Sequence, residues 1–464
     1  MESILSLAWS IVVALLVFGI TIFVHELGHF LVARWCGLQV DAFSVGFGPA
    51  IWKKRIHGVL YKIGILPLGG YVALPQLDPT GSGGVGVGDS NEEQARKLPR
   101  ISPGKKILVS VAGVTCNMIL AYLLAWAVYL EGRAFDPGFS NATIGYLEEG
   151  STAAASGLAV GDVVSAVNGE AVSNWEELMV VAALNDEVVL SVQSAAGESR
   201  EVTLPTKKFS GVRMLDGIYP MSACFVLGVR PDSPAKRAGL ASGDRILTFN
   251  GVSLYSRAQM IEEVNKVQGE EVPMTVERDG TTFELSIAPE FDEELGRALI
   301  GIEFYVNEVK KPMDQVVSHA TLIFRILKAL VTPSEAKAAA EGIGGPVLII
   351  DMLLRVSAVG LMAILSFACL LNVNLAVLNL LPLPVLDGGH IVLSVIEGIT
   401  RKPVSPKVVT AVWNVGTVML LALFLTLTFK DIRFIVNNRT GQDAPSNKVE
   451  EILPEAAPSV NSTP

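Results

Sequence analysis

The chain has 464 residues, of which 50% are hydrophobic and 18% are charged, and its mean hydropathy is +0.46. Ordinary soluble domains are less apolar and more charged, so the composition excludes a protein built only of soluble domains. The formal net charge of −10 argues against nucleic-acid binding through a basic surface.

Four stretches without Asp, Glu, Lys or Arg are each long enough to cross a bilayer as a helix. They are residues 4–24, 107–130, 356–386 and 408–429. The rest of the chain is longer than connecting loops require, so water-soluble domains are expected between the spans. The first stretch has no basic residue before it and no small-residue cleavage site after it, and we interpret it as a membrane span, not a signal peptide.

Charged residues are distributed unevenly between these spans. Residues 34–106 carry 10 Lys and Arg against 5 Asp and Glu, whereas residues 131–311 carry 15 against 28. Because cytoplasmic loops collect Lys and Arg near the membrane, the first region is predicted to face the cytoplasm and the acidic region the outer side. Arg401, Lys402 and Lys407 place the last loop in the cytoplasm, so both termini are expected on the outer side.

The acidic region contains an internal repeat. GLAVGD at residues 157–162 recurs 82 residues later as GLASGD at residues 239–244, and Asn-Gly follows at the same distance in both copies. In each copy Gly-Asp leads into an alternating apolar run that ends in Asn-Gly, which predicts a strand followed by a tight turn. The pattern resembles the PDZ domain in its bacterial form.

PDZ domains usually bind an extended peptide as an added strand. The resemblance is better in the second copy, where it implies a peptide groove at Phe225, Leu227 and Gly228. The alternative is that the two copies serve as a rigid spacer or a size filter with an empty groove.

The first apolar stretch ends in His25-Glu26-Leu27-Gly28-His29. Histidines at i and i+4 share one helix face, so both imidazoles can reach one metal ion, with Glu26 beside it. Ionisable residues in a membrane span are costly and are therefore a sign of function. The spacing is typical of a catalytic zinc site.

A hydrolytic zinc site needs a third protein ligand and an open position. Candidates are His57, His319 and His390, together with carboxylates at the membrane. Asp387 ends the third apolar stretch, which Pro382 and Pro384 interrupt. Prolines break a helix, and the freed backbone groups are tolerated only where protein or water surrounds them.

The two motifs, HExxH at residues 25–29 and NxxPxPxLDG at residues 379–388, occur here with PDZ-like modules between them. This combination resembles the site-2 protease family of intramembrane zinc metalloproteases, in its bacterial regulator of sigma-E type with two PDZ domains. The resemblance covers nearly the whole chain and implies one zinc ion per chain, held by His25, His29 and Asp387, with Glu26 as the general base. The residues that it places at the substrate are Asn379, Gly46, Phe47, Gly48, Pro382 and Pro384.

The resemblance also implies partners. Substrates would be single-span membrane proteins, such as an anti-sigma factor or remnant signal peptides, cut after a first cleavage by another protease. The lipid bilayer is the second expected partner, and extended peptides at the PDZ-like domains are the third.

In one departure from the family pattern, Ala112-Gly113 is followed by Val114 instead of proline, with Asn117 kept.

The predicted fold is a multi-pass α-helical membrane protein with four transmembrane helices, a cytoplasmic membrane-associated β-hairpin region and two inserted PDZ-like α+β domains. The expected segments are a first transmembrane helix (1–36), a hairpin region with a glycine-rich loop (37–104), a second transmembrane helix (105–130), two PDZ-like domains (131–220 and 221–310), an interfacial amphipathic helix and linker (311–344), a third membrane segment (345–390), a cytoplasmic loop (391–407), a fourth transmembrane helix (408–430) and a disordered tail (431–464).

Two other functions are compatible with parts of this pattern. A membrane-tethered PDZ scaffold would need no intact Glu26. A metal-transport protein using His25, His29 and Asp387 would be expected to show two related halves, and the second half contains no counterpart of the first motif. His390 also stays open as a rival to Asp387.

Overall fold

The computed structural model describes residues 2–77, 98–99, 101–130, 141–209, 212–267, 269–293, 296–304 and 310–439. The glycine-rich loop expected at residues 81–90 and the part of the expected tail beyond residue 439 lie outside these ranges. Within the described ranges, four helices are long and apolar enough to cross a membrane: Ile11–Trp35, Pro103–Leu130, Leu361–Asn379 and Lys407–Val436.

Helix α1 (Glu2–Trp35) carries the first apolar stretch and continues through the HExxH motif. It is followed by an antiparallel hairpin of β1 (Ala42–Ile56) and β2 (Val59–Ala73), with a turn at His57-Gly58. Phe43 and Val59 of the hairpin pack with Phe30 at the end of α1 in one buried cluster. The hairpin is therefore fixed beside the motif, and helix α2 (Pro103–Leu130) packs along α1 after it.

The first inserted module begins with β3 (Ile144–Leu147), α3 (Thr152–Ala155), β4 (Val163–Val167), β5 (Glu170–Ala171) and α4 (Trp175–Ala183). It ends with β6 (Glu187–Gln193), β7 (Ser199–Phe209), β8 (Val212–Leu215) and β9 (Ile218–Pro220). The strands form a sheet of order β5-β4-β6-β7-β8 and a separate β3-β9 pair. Apolar residues that alternate along β6, such as Val188 and Leu190, are fully buried against α4.

The second module begins with β10 (Cys224–Val229), α5 (Pro234–Ala238), β11 (Arg245–Phe249), β12 (Val252–Ser253) and α6 (Arg257–Lys266). It ends with β13 (Val272–Arg278), β14 (Thr281–Ile287), β15 (Glu290–Asp292), β16 (Arg297–Leu299) and β17 (Ile302–Phe304). Its main sheet has the order β14-β13-β11-β10-β17, with β12 beside β11. The core contains Val226, Phe249 and Met274.

The sequence repeat is also a structural repeat. In the first module Asp162 accepts the Ala159 N–H at 2.9 Å and pairs with Arg200 at 2.6 Å. In the second, Asp244 accepts the Ala241 N–H at 2.9 Å and pairs with Arg278 at 2.5 Å. Burial of Asp244 acts to raise its pKa, but the hydrogen bonds from Arg278 and the Ala241 N–H outweigh this and lower it. Each Gly-Asp is therefore an anchor between a loop and the sheet.

Helix α7 (Pro312–Val331) follows the second module, and α8 (Ala336–Gly342) follows α7. The amphipathic pattern predicted α7 correctly as a helix. Val316 and Ile323 on its buried face pack against Ala121 and Ala125 of α2. The helix thus rests on the membrane-spanning bundle.

The expected third membrane segment is divided into α9 (Pro346–Val359) and α10 (Leu361–Asn379), which meet at Gly360. Helix α11 (Asp387–Thr400) begins after a proline-containing loop, and α12 (Pro406–Arg439) completes the described chain. Two expectations were wrong, because residues 391–400 are helical instead of loop and residues 431–439 continue α12 instead of starting the tail.

Helix α12 continues beyond residue 430 because of Asp431, which is only 1% exposed. Its carboxylate accepts the backbone N–H groups of Gly345 at 3.0 Å and Leu348 at 2.9 Å, at the first turn of α9. The charges at residues 430 and 431 end the apolar stretch, but they do not end the helix, because they are bound by neighbouring backbone.

Candidate metal centre

Three potential metal ligands from two distant helices meet inside the bundle. His25 Nε2 lies 3.3 Å from one carboxylate oxygen of Asp387, and His29 Nε2 lies 3.4 Å from the other. The two Nε2 atoms are 3.2 Å apart. Among the residues that the structure describes, these three form the only group of His, Cys, Asp or Glu side chains with potential ligand atoms so close together.

The donor set fits a zinc ion. Asp387 Oδ2 is buried and has no hydrogen-bond donor within the described chain, although it faces the imidazoles. His29 Nδ1 lies 2.8 Å from the carbonyl oxygen of Val109, which fixes the proton on Nδ1 and leaves Nε2 for a metal. Two imidazoles and one carboxylate are the ligands of many hydrolytic zinc sites, and they leave a fourth position open.

Glycines allow the helices to approach closely enough to form this centre. A Cβ on Gly28 would lie 2.5 Å from the Ala112 carbonyl oxygen, so α1 and α2 meet backbone to backbone. A Cβ on Gly113 would lie 2.3 Å from His29 Nε2 and 2.9 Å from His25 Cε1. The backbone of α2 is therefore one wall of the metal centre.

Glu26 points from α1 towards the hairpin. Its side chain is 8% exposed, and its carboxylate accepts a backbone hydrogen bond from Val72 of β2. A Cβ on Gly70 would lie 2.9 Å from Glu26 Cγ and 2.7 Å from the Ser44 carbonyl oxygen. The carboxylate is thus held between the imidazoles and the hairpin, as a general base beside the metal requires.

Two asparagines contact His25 from opposite sides. The side-chain amide of Asn379, the last residue of α10, has its nitrogen 3.3 Å from His25 Nε2. The amide of Asn117 on α2 lies 3.3 Å from His25 Nδ1 and is fully buried. The sequence analysis placed Asn379 at the site but gave Asn117 no role there. The signals for Asn117 were its polar side chain inside an apolar stretch and its place in the family pattern.

The loop between α10 and α11 presents Asp387. It contains Pro382 and Pro384, and Val385 has a φ of 78°, which is unusual for a β-branched residue. A Cβ on Gly388 would lie 2.1 Å from the Leu381 carbonyl oxygen, so the loop folds back onto the first turn of α11. The strained residue lies two positions before the potential ligand Asp387, and strained backbone is common at functional sites.

The other histidines lie away from this centre. His390, the rival ligand, packs its ring against Trp413 of α12, with 4.7 Å between ring centroids. His57 lies in the turn between β1 and β2. His319 is on α7, where burial lowers its pKa although Glu176 opposes this effect.

The predicted substrate residues of the hairpin lie on β1. Gly46 and Gly48 have φ values of 86° and 85° and coincide with irregular register between β1 and β2. Phe47 belongs to the same strand, and the structure does not describe its side chain. A Cβ on Gly70, which packs against Glu26, would also lie 2.7 Å from the carbonyl oxygen of Ser44, two residues before Gly46, so this irregular part of β1 lies one strand away from the base.

The peptide groove expected in the second module stays a prediction. Phe225, Leu227 and Gly228 lie in β10, which has hydrogen-bonded neighbours on both sides, β11 and β17. The pairing with β11 runs through Cys224 and Phe225, and the pairing with β17 runs through Val226, Gly228 and Val229. The edge of this sheet beside β10 is β17, where the ring of Phe304 lies 5.9 Å below the Arg257 guanidinium of α6.

A membrane-embedded HExxH helix, a third potential ligand from a later helix and two inserted modules define a class of membrane metalloproteases, and the chain belongs to it. The model of Peptidase family M50 matches residues 13–423. The chain is 30% identical over 457 residues to the Regulator of sigma-E protease RseP of Escherichia coli K12, covering 92% of this chain and 99% of the relative. It is also 30% identical over 459 residues to the Regulator of sigma E protease of Haemophilus influenzae, with coverage of 92% and 99%.

A similarity to solved structures falls on part of the chain. The PDZ domain of the SdrC-like protein from Listeria innocua is 30% identical, covers 18% of this chain and 93% of its own, and has a TM-score of 0.17. The family and the relatives identify the chain as an intramembrane zinc metalloprotease, and the scaffold and transporter alternatives are not favoured.

Proposed function

We propose that this protein cleaves single-span membrane proteins within or near their transmembrane segment, with one zinc ion per chain held by His25, His29 and Asp387. The observation that carries the proposal is the convergence of these three side chains beside Glu26 inside the membrane-spanning bundle. A bound zinc ion makes water nucleophilic at neutral pH and polarises the scissile carbonyl.

The residues around the ion have separate tasks in this proposal. Glu26 removes a proton from the attacking water and delivers it to the leaving amine. The Val72 N–H orients the Glu26 carboxylate. Asn379 is close enough to His25 to hydrogen-bond a substrate backbone group placed at the metal.

A transmembrane substrate hides its peptide bonds in a helix, so it must be unwound before a carbonyl reaches the metal. We propose that β1 holds the unwound segment as an added strand around Gly46, Phe47 and Gly48, with Pro382 and Pro384 on the other side. Strand addition would provide hydrogen bonds to the backbone N–H and C=O groups of the unwound substrate, which lipid cannot provide. The nearness of β1 and β2 to Glu26 supports this arrangement.

The orientation follows from charge. We place the hairpin and the metal centre towards the cytoplasm, and both termini and the two modules on the outer side of the bacterial inner membrane, in agreement with the basic loops. The modules then exclude substrates with large outer domains, so cleavage follows a first cut by another protease. Since relatives are named regulators of sigma-E, a membrane-spanning anti-sigma factor is the substrate that we propose.

The decisive experiment compares the purified wild type with Glu26→Gln and with the exposed control Glu198→Gln, using a single-span substrate that lacks its outer domain. We expect product from the wild type and the control, and a rate about 10²- to 10⁴-fold lower for Glu26→Gln, the usual contribution of a general base. Zinc content should be equal in all three. Full cleavage by a zinc-loaded Glu26→Gln protein would contradict the proposal.

A further inference from the structure

A cavity of about 470 Å³ opens where α2 begins and α11 ends, on the side of the bundle that carries the basic loops. Its walls combine apolar and basic residues from three parts of the chain, including Pro75, Ile101, Pro103, Lys106, Arg401 and Lys402. Pro103 is also the first residue of a membrane-spanning helix, so the cavity lies at one end of the span. It is separate from the metal centre, because it shares no lining residue with it.

The cavity has a positive charge that no acidic side chain of the described residues neutralises. Lys106 Nζ pairs with Glu397 Oε2 at 2.7 Å, and both side chains are largely buried. The other oxygen of Glu397 accepts the Val404 N–H at 3.3 Å, so both oxygens of this carboxylate have a partner inside the protein. Arg401 and Lys402 are exposed, and neither side chain has a hydrogen bond or an ion pair among the residues that the structure describes. Within the described part of the chain, these two cations therefore face the cavity without an acidic partner.

An apolar stripe leads along α11 to these two cations. Val392, Val395, Ile396 and Ile399 follow the i, i+3, i+4, i+7 spacing of one helix face, and all four are exposed. Ile399, nearest to Arg401, is 78% exposed. In a chain that crosses a membrane, such a stripe contacts lipid acyl chains, and cations at its end lie at the level of the headgroups.

We propose that this place binds one anionic phospholipid, with its phosphate in the cavity between Arg401 and Lys402 and an acyl chain along the stripe of α11. Charge complementarity selects an anionic over a zwitterionic headgroup, and the stripe selects a lipid over free phosphate. Because Asp387 is the first residue of α11 and the cavity lies at its last, the bound lipid fixes the end of the helix that carries a metal ligand.

The test measures retention of phosphatidylglycerol by native mass spectrometry of the full chain in detergent. The variant is Arg401→Asn with Lys402→Gln, where Asn suits the positive φ of 54° at residue 401. The control is Lys53→Gln with Lys54→Gln, two exposed cations of the hairpin, which changes the net charge equally. Each juxtamembrane cation contributes about 1 kcal/mol to the binding of an anionic lipid. Removing two of them should therefore weaken the affinity for the lipid roughly 30-fold.

We expect the wild type and the hairpin control to retain one phosphatidylglycerol with similar affinity, and the cavity variant to bind it roughly 30-fold more weakly. Equal affinity in all three proteins would overturn the site. Equally tight retention of phosphatidylcholine would overturn its selectivity for an anionic lipid. Displacement of the lipid by inorganic phosphate at comparable concentration would show a free-phosphate site and overturn the role of the stripe.

Discussion

Gly113 and His29 are so close that a Cβ on the glycine would lie 2.3 Å from the imidazole Nε2. Real Cβ atoms do not approach a ring nitrogen this closely, so any side chain at residue 113 must displace His29.

The family pattern has proline after this glycine, and Val114 replaces it here. Val114 is buried in a regular α2, so the valine leaves the wall of the metal centre intact.

Replacing Gly113 with alanine should therefore abolish zinc binding. Overpacking of this kind costs about 1–3 kcal/mol where the neighbours cannot move. We expect wild-type protein to gain thermal stability when zinc is added, because a ligand of the folded state stabilises it, and Gly113→Ala to gain none.

The control for this experiment is Gly104→Ala in the first turn of the same helix. Nothing lies within 4 Å of a Cβ there, and alanine favours helix. The control should bind zinc and gain stability as the wild type does. Zinc binding by Gly113→Ala at full stoichiometry would disprove the close contact.

Asn117 should act as a positioning residue for His25. Metal-bound histidines usually donate their second N–H to an acceptor, and the side-chain amide of Asn117 lies 3.3 Å from His25 Nδ1. The structure has the amide nitrogen of Asn117 at this distance and leaves its buried oxygen without a partner among the described residues. Exchanging the two amide atoms makes the oxygen the acceptor of the Nδ1 proton and keeps Nε2 free for zinc. Asn117→Leu should weaken zinc binding about 10- to 100-fold, the usual effect of losing such a partner.

Asn117→Asp keeps an oxygen acceptor and should restore zinc affinity, measured by competition with a chelator. Thr115→Ala, an exposed change in the same turn of α2, is the control and should leave affinity unchanged. A uniform loss in both Asn117 variants would indicate a role in packing only.

Sequence patterns predicted the parts of the site that depend on local spacing. His25, Glu26 and His29 are neighbours on one helix, and Asp387 stands out as a charge that ends an apolar stretch. Asn117 was different, because its contact with His25 joins residues 92 positions apart and depends on how α1 packs against α2. Only the packing of the helices reveals such a partner.

Other features of the fold were not predicted for a related reason. The sequence placed the peptide groove on β10, which fits a strand near the start of the module. Strand β17 comes some 70 residues later and covers that edge, and no local pattern shows such a pairing. The end of α12 was misjudged because charges at residues 430 and 431 normally indicate water, whereas here the backbone of α9 binds the carboxylate.

The Asp244–Arg278 pair predicts a pH-dependent stability of the second module. The pKa of Asp244 in the folded state lies below its ordinary value of 3.8, so the pair stabilises the module above that pH. The contribution is lost as the pH falls through the lowered pKa. Asp244→Asn should reduce the free energy of local unfolding by about 2 kcal/mol at neutral pH, as for a hydrogen bond to a charged group.

Hydrogen exchange of peptides from β11 and β13 in the full chain measures this free energy. The difference between wild type and Asp244→Asn should shrink as the pH is lowered through and below 3.8. The control Asp232→Asn changes an exposed residue with a positive φ that asparagine tolerates, and should show no difference. A difference that stays constant with pH would exclude the ion pair as its cause.

Asp431 should hold α9 and α12 together as a cap supplied by another helix. It accepts two backbone N–H groups at the start of α9, which has no cap of its own, since Gly345 precedes Pro346. Asp431→Ala should destabilise this junction by about 1 kcal/mol, the usual effect of losing a cap, and Asp431→Asn, which keeps one oxygen acceptor, by less. Hydrogen exchange at Leu348 and Ile349 measures the loss, with the exposed change Thr426→Ala on α12 as the control. Equal exchange in Asp431→Ala and wild type would show that packing alone fixes the start of α9.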